Sequence, residues 1–108
     1  MFARNILIGT TAALCGLAMP AAAQDASPAR GRAIARAVCA RCHAVQAHDA
    51  SPMRAAPPFR TLAKRFPIDD LADVLIEGVG RRHPAMPDFR LAPGDAANLT
   101  AYLKAMRP

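Results

Sequence analysis

VCARCHAV, residues 38–45, is the stretch that decides how the rest of the chain is read. Cys39 and Cys42 sit two residues apart, and His43 follows the second cysteine directly. Three chemistries place two thiols and an imidazole so close together: a disulfide, a zinc ion, and a covalently held haem. A disulfide across two residues staples very little, because the entropic gain grows with loop length. Zinc wants four ligands. Outside the motif only His48 and His83 remain as strong candidates, and there is no second cysteine pair. C-x-x-C-H is the spacing of a c-type haem attachment site. The two thiols add to the vinyl groups on one porphyrin edge, and the adjacent imidazole lies beneath the iron.

Working outward, the N-terminus reads MFARNILIGTTAALCGLAMPAAAQD. Arg4 gives a positive start, residues 6–19 are mostly apolar, and Ala21, Ala22 and Ala23 offer a cleavage site. This pattern predicts a secretory signal over 1–23, removed after Ala23. The apolar run is 14 residues, whereas a membrane span needs about 20, so stable membrane insertion is not expected. Cys15 leaves with the signal. Residues 24–108 then form a single domain in the periplasm, the compartment in which a c-type haem is attached.

The expected mature domain carries 13 Lys and Arg against 8 Asp and Glu. Twelve of those cations lie between Arg30 and Lys104, within the body of the domain. This balance suits acidic partner surfaces. No basic stripe interleaved with aromatics appears, so nucleic acid is not an expected partner.

Helical signals fill the domain. Ser27 and Pro28 open a helix through SPARGRAIARAVCARCH, with Ile34 and Val38 on its apolar side. Gly31, costly within a helix, suits a close crossing with another helix. In PPFRTLAKRFP, Phe59, Leu62, Ala63 and Phe66 fall on one helical face, and Pro67 ends it. In DDLADVLIEGVG, Asp69 or Asp70 is the expected cap. The last helix presents Leu99, Tyr102, Leu103 and Met106. Segments 44–58 and 81–95 read as loops, and no alternating strand appears. A thioredoxin-like fold is therefore not expected, for want of a sheet. Four short helices around one covalently attached haem c give the expected all-α fold. The ring also supplies what 85 residues with few large side chains lack, which is enough apolar surface for a core.

The second axial ligand must come from elsewhere. Met106 lies on the packing stripe, and Met53 follows His43 by only ten residues. Met86 stands in HPAMPDF, where Pro84 and Pro87 stiffen the approach. It is the expected sulfur ligand. His83 is the rival, and an open sixth position is the remaining alternative.

These segments together resemble the small bacterial class I cytochromes c, soluble monohaem proteins, over essentially the whole expected domain. GRAIARAVCARCHAV is similar to that family's first helix and haem motif, HPAMPDF to its methionine loop, and NLTAYLKAM to its final helix. APPF resembles the segment whose proline carbonyl receives the histidine Nδ1 proton. The resemblance implies that role for Pro57 first and Pro58 next, with Phe59 in the haem pocket. It also implies a crossing of the first and last helices at Gly31, Leu99 and Tyr102. Tryptophan is absent, which leaves an arginine, Tyr102 or water to meet a haem propionate.

One-electron transfer is the implied function, with redox proteins as partners and the chain either monomeric or part of a redox complex. Arg41 would stand beside the exposed ring edge, with Lys64, Arg65, Arg81 and Arg82 steering acidic docking faces. A haem-bearing subunit of a dehydrogenase or oxidase, and a sensor or enzyme with a labile sixth ligand, are the alternatives.

Overall fold

The computed structural model describes residues 15–18, 25–80 and 83–106. Most of the expected signal segment, together with Arg81, Arg82 and Arg107, lies outside the described residues. Four α-helices are present: α1, Pro28–Ile34; α2, Phe59–Arg65; α3, Ile68–Glu77; and α4, Pro93–Ala105. No strand occurs among the described residues, so the expectation of an all-α domain holds.

Helix α1 begins as its sequence dictates. The Ser27 side chain accepts from the Arg30 amide at 3.2 Å, and Pro28 occupies the first turn. It runs directly into a π-helical segment, Ala35–Cys39, in which the Ala40 amide reaches back to the Ala35 carbonyl at 3.0 Å. The inward face of this stretch passes through Gly31 and Ala35, both buried, to half-buried Cys39. Val38, expected on the apolar side, is instead 48% exposed. The buried line lies one residue round from the Ile34–Val38 line that hydropathy suggests.

Helix α4 crosses α1 and closes the domain. A Cβ placed on Gly31 would lie 1.9 Å from the Asn98 carbonyl oxygen and 2.8 Å from Tyr102 Cβ. Only a residue without a side chain allows this approach. The close contact therefore falls on Asn98 and Tyr102, while Leu99, the third member of the expected crossing, turns into the core. The Ser27 amide donates to Asn98 Oδ1 at 2.8 Å, tying the start of α1 to the same point. Leu99 and Leu103 are 2% and 1% exposed. Burial of each is worth about 1.5–3 kcal/mol.

Helix α2 covers the remaining side of the core through Phe59 and Ala63, both buried. Phe66, expected on that stripe, is 50% exposed. It is the C-cap, with extended backbone at φ −118° and ψ 146°, because Pro67 follows and disfavours a helical conformation before it. Helix α3 then starts at buried Ile68 with Pro67 as N-cap, and neither Asp69 nor Asp70 caps it. Both aspartates lie in its first turn, where negative charge suits the helix dipole. Gly78 ends α3 at φ 110°, a conformation that favours glycine. The returning chain is pinned by the Leu91 amide, which donates to the Leu75 carbonyl at 2.9 Å.

Candidate haem site

Cys39 closes the π-helical segment, and the chain turns at once. The amides of Cys42 and His43 both reach the Cys39 carbonyl, at 3.2 and 3.0 Å. This turn presents Cys39, Cys42 and His43 from one short arc. Both cysteines are free and half-buried. Burial pushes the Cys39 thiol up to about 11. Among the described residues no three His, Cys, Asp or Glu side chains gather as a metal-ion site. The motif's own three side chains therefore do not converge on a single ion.

The loop after His43 turns back to brace it. His43 Nδ1 lies 2.7 Å from the Pro57 carbonyl oxygen. A carbonyl only accepts, so Nδ1 carries the proton and Nε2 presents a lone pair. Phe59 flanks the imidazole with a centroid separation of 5.5 Å and an interplanar angle of 56°. Backbone hydrogen bonds fix the loop to the motif: Met53 N to Cys42 O at 3.1 Å, and Phe59 N to Ala44 O at 2.9 Å.

Side chains the sequence reading passed over complete the brace. Asp49 accepts from the amides of Val45 and Gln46, Ser51 Oγ accepts from Ala44 N, and Arg60 donates to the Asp49 carbonyl at 2.8 Å. The only advance signal for Asp49 was its type and position, a short acceptor three residues after the Gln46 amide in a loop segment. Tyr102, a suggested propionate donor, gives its hydroxyl proton to the Val45 carbonyl. Through this bond Tyr102 ties α4 to the haem-motif loop.

Of the methionines in the expected mature domain, Met86 is half-buried and packs against the core cluster. Its amide closes a turn onto His83 O at 2.9 Å. His83 is exposed, as are Pro84 within the turn and Pro87 just after it. Met53 is 39% exposed, and Met106 caps the C-terminus of α4. Arg41 is exposed between the two cysteines, and Lys64 and Arg65 are exposed in the last turn of α2.

Two free thiols on one turn, an imidazole with an anchored Nδ1 and a free Nε2, and an adjoining apolar cluster fit a covalently bound haem. Comparison with known proteins agrees. Residues 26–103 match the family model described as "Cytochrome C oxidase, cbb3-type, subunit III". The chain belongs to this family of c-type cytochrome domains, and it is a haem c electron carrier. It is also 33% identical over 85 residues to cytochrome c-552 of Bradyrhizobium diazoefficiens, covering 77% of this chain and 78% of that one. No solved structure matches it. No described helix is long and apolar enough to cross a membrane.

Proposed function

We propose that the protein is a periplasmic one-electron carrier whose haem is bound by Cys39 and Cys42 and ligated axially by His43 and Met86. The observation that carries this reading is the 2.7 Å contact between His43 Nδ1 and the Pro57 carbonyl. It fixes the tautomer and orients the ring, which is how a histidine is prepared to bind a metal through its other nitrogen. Bound haem supplies a one-electron change at its iron. The chain's own residues set the conditions for that change. Phe59 restricts rotation of the imidazole. Met86, between Pro84 and Pro87, offers a neutral, soft sulfur. The apolar cluster excludes water and favours the less charged, reduced state. Were His43 and Met86 both to hold the iron, no position would be left there for a substrate, and the haem would supply electron transfer without turnover chemistry. The export pattern of residues 1–23 supports the periplasm. Arg41, Lys64, Arg65, Arg81 and Arg82 are the cations assigned to steering acidic redox partners.

An optical spectrum tests the ligands. The oxidised protein is expected to show a weak charge-transfer band at the red end that Met86→Leu removes while the haem stays attached. Survival of the band in Met86→Leu, or high-spin iron in the parent protein, overturns sulfur ligation. Pigment extracted from the parent protein by acidified acetone overturns the thioethers.

The family description favours a second reading, in which the domain works as the haem-bearing part of an oxidase assembly. Its chemistry is the same. Purification as a stable complex, as opposed to a free monomer, distinguishes the two.

A further inference from the structure

A groove lies between α1, α2, α4 and the loop after the haem motif. Its volume is about 690 Å³. Tyr102, Ala105 and Met106 contribute an apolar side from α4, and Arg32, Arg60 and Lys64 contribute cations from α1 and α2. No Asp or Glu lines it, and neither do Cys39, Cys42, His43 or Met86. Arg60 is partly satisfied by Asp49, at 3.6 Å and 36% side-chain exposure. Arg32 and Lys64 are exposed and meet no carboxylate among the described residues.

Three cations arranged over an apolar strip leave charge and greasy surface uncovered in the same slot. We propose that this groove is a docking site for an acidic peptide segment of a protein partner. Carboxylates on one side of the segment would meet Arg32 and Lys64, and an apolar side chain would lie along Tyr102 and Met106. Charge complementarity argues for this occupant, since the expected mature domain carries 13 Lys and Arg against 8 Asp and Glu. Concavity argues against a flat anionic bilayer, which meets protruding apolar side chains and not a recess. Because the groove shares no residue with the haem-binding set, a partner could hold the carrier here while the cysteine edge is left free to exchange electrons. The inference is independent of which side chain takes the sixth position on iron.

The test uses ¹⁵N-labelled, reduced holoprotein and a blocked ten-residue peptide of Glu interspersed with Leu and Gly. Saturable shifts are expected at the amides of Gln46, Ala47, His48, Lys64 and Ala105. Loss of two contacting cations in Arg32→Gln/Lys64→Gln is expected to weaken binding about tenfold, and the control Arg36→Gln/Arg54→Gln, with the same loss of charge elsewhere, less than about twofold. An unchanged haem spectrum shows that the double variant is folded. Equal weakening by both pairs reduces the effect to general attraction and overturns the site. Shifts centred on residues 39–43, or no saturable binding, overturn it too. So does groove-dependent binding to phosphatidylglycerol vesicles without binding to the peptide, which would make the face a membrane contact.

Discussion

The Asn98 carbonyl occupies the space where a side chain on Gly31 would begin, 1.9 Å from the ideal Cβ position. The obstacle is backbone, so it cannot swing aside as a side-chain tip would. Gly31→Ala gains about 1 kcal/mol of helix propensity and loses more than that to overpacking. A net destabilisation of about 2 kcal/mol is expected, read from denaturant melts of the holoprotein. An unchanged midpoint would show that α1 and α4 separate without cost.

Tyr102→Phe tests the other tie between α4 and the haem-motif loop. It leaves the carbonyl of Val45, a residue 3% exposed, without its donor. The expected cost is about 1–2 kcal/mol of stability. The reduction potential should stay where it is, because the hydroxyl serves the backbone. A shifted potential at unchanged stability would return the tyrosine to the haem.

Phe59→Ala is expected to be the costliest of these changes. The ring is 5% exposed, belongs to the core and flanks His43. Truncation costs about 3–5 kcal/mol. It should also free the imidazole to rotate, which would broaden the histidine signals in the NMR spectrum of the holoprotein. A variant of near-parental stability would show that the core closes around the gap.

Lys104→Ala is expected to do almost nothing, despite a 2.6 Å contact with Asp69. Both side chains are well exposed, at 51% and 85%, and such pairs are worth no more than about 1 kcal/mol. A melting midpoint that fell in low salt and recovered nothing in high salt would contradict this.

The sequence was most legible where one residue type has one physical use. Gly31 pointed to a close crossing because a glycine is costly within a helix, with fraying near the helix end as the plainer alternative, and the stripe of α4 fell where its period put it. Motif spacing likewise pointed to haem before any geometry was available. Elements interrupted by proline were less legible. Periodicity placed Phe66 inward, but Pro67 makes position 66 extended and carries the ring off the stripe. Asp69 and Asp70 have the chemistry of caps, yet burial of Ile68 brings that residue into the helix ahead of them. The π-helical segment Ala35–Cys39 leaves no mark in composition, although such segments are frequent at functional sites. The bracing by Asp49, Ser51 and Arg60 depends on a loop folding back upon itself, which no local pattern encodes.

The hydrogen bond from Ser27 to Asn98 joins positions 71 residues apart. The first helix therefore has its partner only where Asn98 is in place, while the cysteine turn rests on short-range bonds from the Cys42 and His43 amides to the Cys39 carbonyl. A chain cut before Asn98 would keep the local bonds of that turn and lose the clamp on the helix that carries it.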